Sequence, residues 1–363
     1  MTTRDPNARD KPLALFDDDP RFARPPTTRY QGSKLKLLPW IWESLRGLKF
    51  QTALDAFGGT GCVSYMLKCK GKAVTYNDYL KFNYLIALAL IENANTRLSQ
   101  TDVHSVLGKK PDFKYGDFIA RTFANVFFTE EENSWLDVVC QNVPFLDDPF
   151  QRAMAYYALF QSCIIKRPYN LFHRKNLCMR TSDVKRSFGN KAAWDTPFET
   201  HFRKFVDEAN RAVFDSGVPC KAVCHDAIEV SGRYDLVYID PPYVSKKGIG
   251  VDYLDFYHFL EGMVDYASWP GRLNRRKRHL PLTGERSPWS DPRRTCDAFS
   301  RLFERYADSI LVVSYRSDGI PSEHELAAML RRVKGNVRVL HYGGYKYALS
   351  KNGASREMLL IGR

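Results

Sequence analysis

The sequence predicts an α/β fold: an open, mostly parallel sheet assembled from two separated stretches of chain, with a mostly helical insertion between them. Three observations carry this. Short apolar strands alternate with helical segments over residues 52–95, the pattern of a parallel sheet. The alternation stops over residues 98–214 and resumes at Cys220. Hydrophobic residues make up 44% of the 363, enough for a full-sized core, which excludes wholesale disorder.

Taken in order, residues 1–28 are rich in Pro, Asp, Arg and Thr and read as a flexible N-terminal arm, with the ordered chain starting near Arg29. Residues 52–57 read as a buried strand. The turn Gly58-Gly59-Thr60-Gly61 follows, then a helix to about Lys70. Residues 72–77 form a second strand, and residues 80–95 a helix with Leu85, Leu88 and Ile91 at helical spacing. Helices are expected around residues 130–140 and 150–165. Strands return at residues 221–225, 234–239 and 309–315. Ser322 and Glu325 form a capping box for a helix over residues 322–332. Residues 336–341 and 357–361 read as a closing pair of strands. Residues 29–97 and 215–363 are therefore expected to form one domain, 98–214 an inserted domain, and 244–300 a long excursion between two central strands. Excursions of that length are usually functional or disordered.

Charge is unevenly spread. The formal net charge is +13. Residues 164–191 hold eight Lys/Arg against one acid, and residues 270–295 hold eight against two. Together they account for the whole excess. A polyanion is the simplest partner, and nucleic acid the commonest one. The plainer reading is two solvated basic loops. The longest apolar run, Leu85 to Ile91, is too short to cross a bilayer. No basic-then-apolar leader opens the chain, so a secretory route is not expected. The eight cysteines form no Cys-x-x-Cys pair and the histidines do not gather near them, which argues against a structural zinc site. Scattered thiols fit a reducing cytoplasm.

Ligands of open parallel sheets bind at the carboxyl ends of the strands. The first strand ends in Asp55-Ala56-Phe57 and the glycine turn. The third glycine of the dinucleotide spacing is missing, because Ser64 stands there, and no phosphate-loop Gly-Lys-Ser/Thr follows. Asp78 ends the second strand; it suits the two hydroxyls of a ribose, or caps the helix starting near Leu80. Asp226 ends the third strand, where an ordinary turn aspartate is the plainer reading. Asp240-Pro241-Pro242-Tyr243 ends the fourth: an acid, two rigid prolines and an aromatic, facing the cleft.

These residues resemble the D12, or Dam-like, class of DNA adenine-N6 methyltransferases, α subgroup, over about residues 29–363. Arg29-Tyr30-Gln31-Gly32-Ser33-Lys34 is similar to the family's N-terminal cofactor motif, with Ser33 in place of a second glycine. Asp55 to Gly61 matches the glycine element, Asp78 the ribose acid, and Asp240-Pro241-Pro242-Tyr243 the catalytic motif. The resemblance implies a Rossmann-like sheet and S-adenosylmethionine as cofactor. Tyr30 would pack on the cofactor side, Lys34 would meet the methionine carboxylate, and Asp55, Phe57, Gly59 and Gly61 would surround the methionine part. Asp78 would take the ribose and Asp226 the adenine of the cofactor.

The chemistry also follows from the residues. An adenine amino group is a poor nucleophile because its lone pair is delocalised into the ring. Asp240 and the Pro241 carbonyl form an acceptor pair for both N6 hydrogens, localising that lone pair for in-line attack on a sulfonium methyl. Tyr243 is placed to stack on the base, which must leave the duplex to reach the pocket. Lys166, Arg167, Tyr169, Asn170, His173, Arg174 and Lys175 mix cations, aromatics and an amide, and are expected to contact DNA, as are Arg275, Arg276 and Arg278. The expected partner is double-stranded DNA, with a cognate restriction endonuclease as a second candidate, and the chain a monomer or weak dimer in a prokaryotic or phage-like cytoplasm. No metal is called for. Cytosine-N4 or RNA adenine-N6 methylation, and an inert nucleic-acid-binding subunit, are the competing readings.

Overall fold

The computed structural model describes residue 26 and residues 30–182, 191–285, 287–342 and 355–363. The predicted arm therefore lies outside the described residues, Pro26 excepted.

The apolar strand after Gln51 becomes the middle of the sheet. β1 (Thr52–Asp55) pairs in parallel with β2 (Ala73–Asn77) on one side and with β4 (Leu236–Ile239) on the other. β3 (Lys221–Val223) adds in parallel outside β2. β6 (Ile310–Arg316) adds in parallel beside β4. β9 (Glu357–Gly362) then runs antiparallel between β6 and β8 (Val337–Tyr342). The order is β3-β2-β1-β4-β6-β9-β8, so the two sequence-distant halves meet at the β1–β4 pair. A separate two-residue pair joins β5 (Val244–Ser245) to β7 (Gly319–Ile320).

Alternation along each strand gives the sheet two apolar faces. Leu54, Val237, Ile239, Leu311 and Val313 face α12 (Thr295–Arg305) and α13 (Glu323–Arg331). Ala53, Leu236, Tyr238 and Val312 face a larger core that includes α1 (Leu38–Leu45), α2 (Cys62–Cys69) and α3 (Lys81–Ala87). The predicted helix over 80–95 is interrupted: α3 hands over to a π-helical turn, Leu88–Glu92. The Ser322 and Glu325 capping box of α13 forms as expected.

Between β2 and β3 the described chain is helical: α4 (Gln100–Leu107), α5 (Phe118–Thr122), α6 (Glu130–Asn142), α7 (Pro149–Ile165), α8 (Cys178–Thr181), α9 (Lys191–Asp195) and α10 (Phe198–Ala212). α7 is buried from Ala153 to Ile165 and packs on α10 and α3, so the core of this segment is continuous with that of the sheet. Asp148 caps α7, accepting from the Phe150 amide at 2.7 Å, and Pro149 occupies its first turn. The excursion after β4 contributes α11 (Tyr253–Val264). Its buried Glu261 accepts from the amides of Lys81 and Phe82 at 3.2 and 3.0 Å, capping α3 from a distant stretch of chain.

Candidate active site

The carboxyl ends of β1, β2 and β4 open onto a solvent-accessible cleft. Asp55, Asp78 and Asp240 line it, together with Phe57, Gly59 and residues 30–34. Three strand-end acids named from the sequence are thus brought together.

The glycine turn is held by contacts that need glycine. A Cβ on Gly58 would lie 2.0 Å from the Tyr76 ring, and Gly61 has φ +71°. Gly61 shapes the turn without lining the cleft. The Gly59 amide donates to Asp78 at 2.9 Å, and the Leu80 amide donates to its other oxygen at 2.8 Å. Asp78 therefore ties the turn to the start of α3 while facing the cleft. Burial raises its carboxyl above the usual range, against the pull of those hydrogen bonds.

Two departures, one from the dinucleotide spacing and one from the family's N-terminal motif, have local explanations. Ser64, standing where a third glycine is absent, donates its hydroxyl to Asp55 at 2.7 Å, both groups being buried. Burial pushes Asp55 up to about 7, with Ser64 opposing. Among the described residues of the N-terminal motif only Gly32 has positive φ, +87°, so Ser33 is tolerated next to it; its Oγ accepts from the Leu35 amide at 3.4 Å. Tyr30 stacks on Tyr257 at 4.4 Å and on Tyr253 at 5.4 Å. The Gln31 amide donates to the Tyr257 hydroxyl at 2.7 Å. An aromatic wall thus joins the N-terminal motif to α11.

Lys34 does not stand free for a carboxylate of a ligand. Its Nζ lies 2.8 Å from Asp240 Oδ1 and 2.7 Å from Oδ2, donates to the Tyr243 hydroxyl at 2.7 Å, and lies 3.7 Å from Glu357 Oε1. Burial works against its charge, but Asp240 and Glu357 outweigh that and raise it. Burial raises Asp240 to about 6, with Lys34 pulling the other way. Tyr243 directs its hydroxyl at Asp240 and Glu357, both at 2.9 Å, and packs its ring edge-on against Tyr315. Pro242 lines the cleft; Pro241 and Tyr243 lie outside its lining. Asp226 lies outside it too. Its carboxylate accepts from the Ile228 amide at 3.0 Å, so the plainer reading, a turn aspartate, describes what it does here.

The expected DNA contacts divide. Lys166 and Arg167 are buried and face inward, which corrects their assignment. Lys166 pairs with Glu132 at 2.9 Å and donates to the Trp194 and Thr196 carbonyls. Arg167 donates to the carbonyls of Phe127, Leu171 and Arg174 and stacks on Phe127 at 4.4 Å. It thereby holds the loop that follows it. On that loop Arg174 and Lys175 are exposed, Tyr169 is 62% exposed, and His173 packs on Phe256 of α11. Tyr169 and Asn170 both have positive φ. The second basic stretch is a folded hairpin: Leu273 bridges Leu282, and the Asn274 amide donates to the Pro281 carbonyl at 2.7 Å. Its tip exposes Arg275, Arg276 and Arg278. α11 also anchors this stretch, through Asp255 against His279 at 3.2 Å and Lys277 at 3.4 Å. One helix therefore gathers both basic segments.

Sequence reasoning missed Ser64, Tyr79, Tyr253, Tyr257, Trp289 and Glu357. Tyr253 and Tyr257 had a signal in their four-residue spacing, which places both on one helix face. Glu357 had none: only the closing of the sheet brings it to Asp240.

A mostly parallel sheet whose strand ends carry a glycine turn, a buried acid and Asp-Pro-Pro-Tyr around one cleft defines a Rossmann-like methyltransferase. The chain belongs to the D12 class N6 adenine-specific DNA methyltransferases, whose family profile matches residues 30–262. It is similar to the type II methyltransferase M2.HphI of Haemophilus parahaemolyticus, with 31% identity over 87% of this chain and 90% of that protein. It is 25% identical to the modification methylase StsI of Streptococcus sanguinis over 91% of this chain, which spans about half of that longer protein. The type II methyltransferase M.CviAII of Paramecium bursaria Chlorella virus 1 is 22% identical over 92% of this chain and 97% of its own length. Among the described residues no helix is long and apolar enough to cross a membrane.

Proposed function

We propose that this adenine-N6 DNA methyltransferase uses S-adenosylmethionine to methylate a flipped-out adenine within a specific duplex sequence, in the cytoplasm, as the modification activity of a restriction–modification system. The carrying observation is the convergence of Asp55, Asp78 and Asp240 on one cleft beside the Gly58–Gly61 turn. The cleft fits the cofactor's parts. Asp78 lies where a ribose is held in sheets of this kind, Tyr30, Phe57 and Trp289 offer aromatic walls, and the open backbone at Gly59 permits close approach. The cofactor supplies an electrophilic methyl group on a sulfonium.

The chain's own residues do the rest. Asp240 and the Pro241 carbonyl accept from the adenine amino group and orient it. Lys34 keeps Asp240 ionised as an acceptor, so activity should fall on acidification through about pH 6. Residues 98–214 carry target recognition, and the hairpin of the 244–300 excursion supplies phosphate contacts. Names of relatives as type II methyltransferases support the restriction–modification setting.

The test is Asp240→Ala. Methyl transfer to DNA should be abolished while calorimetry still shows cofactor binding. Turnover within tenfold of wild type, about 1.4 kcal/mol in barrier, would overturn the assignment. Mapping methylated positions in DNA from cells expressing the protein identifies the site.

A further inference from the structure

We propose that Glu357, the first residue of β9, is a positioning residue for methyl transfer, acting through Lys34 and Tyr243 to orient the Asp240 carboxylate. It lies outside residues 30–262, the segment that carries the family match, and no motif names it.

Glu357 is fully buried. A buried carboxylate is costly unless partnered. Its partners include the Ser314 hydroxyl at 2.6 Å, the Tyr243 hydroxyl at 2.9 Å and the Lys34 ammonium at 3.7 Å. The last two are also the groups that hold Asp240. One ammonium is thus shared by two carboxylates, of which Asp240 lines the cleft, so Glu357 acts on the cleft through the groups they share.

Hydrogen counting shows how. The Tyr243 hydroxyl carries one hydrogen and faces two carboxylate oxygens at the same 2.9 Å. Its own oxygen accepts from Lys34 at 2.7 Å. A substrate amino group that donates to Asp240 competes with the Tyr243 hydrogen for Oδ1, and Glu357 gives that hydrogen a second acceptor: the hydroxyl turns from Asp240 to Glu357 by rotation about its C–O bond, with no proton transferred.

The experiment compares Glu357→Gln with Glu357→Asp in steady-state methylation across pH, alongside cofactor and DNA affinities. The groups facing Asp240 are Lys34, Tyr243, Glu357, Asp55 on β1, Tyr238 on β4 and Tyr315 on β6. Burial raises the Tyr238 and Tyr315 hydroxyls far above neutral pH, so they do not titrate in the window. Glu357's negative charge raises Asp240. Removing it in the Gln variant should therefore move the acid limb of kcat/KM to lower pH, by about half a unit or more. The Asp variant keeps the charge but withdraws the oxygen from Tyr243. It should lose about tenfold in kcat with the limb where wild type has it, while DNA affinity stays within about threefold in both variants. A shift common to both variants, or none in the Gln variant together with kcat within twofold in the Asp variant, would overturn the proposal. A kcat loss accompanied by an equal loss of cofactor and DNA affinity would show a merely structural residue and overturn it too. Should the Gln variant not fold, the kcat of the Asp variant decides. Because the proposal rests on Asp240 as the acceptor, Asp240→Ala is run beside it. Residual turnover there would sink the acceptor reading itself, whereas silence at Glu357 alone would sink only the positioning role.

Discussion

Asp55 shows how much one buried carboxyl can cost a fold. Its ordinary value is 3.8, and burial at the end of β1 pushes it up to about 7 in the folded chain. Below about pH 4 it is neutral folded or unfolded and has no effect. As pH rises toward 7 the unfolded chain ionises freely while the folded one resists, so stability is lost across that window. Asp55→Asn keeps an acceptor for Ser64 and removes the titration. The variant should be more stable than wild type at pH 8, on the order of 1–4 kcal/mol, and equal to it near pH 4. Thermal unfolding at both values checks this, and no stabilisation at pH 8 would mean that Asp55 is ionised without strain. The same residue marks what the sequence could show. Asp55 was legible from its place at a strand end. Its partner Ser64 was visible only as a missing glycine, because a spacing rule cannot show which side chain fills the gap.

Among elements, the two basic stretches behave differently from their identical look as charge runs. Lys166 and Arg167 come at the C-terminal end of α7, where the chain is still buried, and both turn inward to carbonyls and Glu132. A cation beside aromatics reads the same in sequence whether the rings line a groove or a core; Phe127 and Phe128, which enclose Arg167, lie some 40 residues away. The hairpin is the reverse case. Residues 270–295 have no strand pattern, yet Leu273 and Leu282 bridge and lift Arg275, Arg276 and Arg278 into solvent. A tip of that kind suits phosphates, which carry no sequence information. Replacing the three arginines with Ala should weaken specific and random duplexes alike. It should also flatten the salt dependence, by about 0.9 in log–log slope for each phosphate no longer neutralised. Replacing Asn170 or Arg174 should instead narrow the gap between cognate and one-base-altered sites, where a good base contact is worth ~1–3 kcal/mol. Titrations at several salt concentrations separate the two; a triple-Arg variant that failed to discriminate while keeping the wild-type salt slope would reverse the assignment.

At the scale of the molecule, strand positions were legible because parallel strands buried on both faces are short, near-continuous apolar runs, as residues 234–239 and 309–315 show. The helical stretch between β2 and β3 was legible as a break in the strand–helix alternation. What the pattern could not carry was any contact made across the whole chain. Glu261 capping α3, Tyr253 and Tyr257 stacking on Tyr30, and Glu357 meeting Tyr243 all join residues more than 100 apart. Such contacts exist only once the sheet has closed.

α11 has a thermodynamic consequence. Its N-terminal half serves both sites: Tyr253 and Tyr257 form the wall against Tyr30 at the cleft, while Asp255, Phe256 and His258 hold both basic segments. Whatever orders that half of the helix for one ligand reduces the disorder left to be removed by the other. Binding of cofactor and of DNA should then be cooperative, and reciprocity requires the factor by which cofactor tightens DNA to equal that by which DNA tightens cofactor. Calorimetric titration in both orders should give the same gain, and Tyr257→Ala, which breaks the helix from Tyr30, should reduce it in both. A gain that survives the substitution would show that the two sites communicate by another route, or that each simply draws on the other's charge.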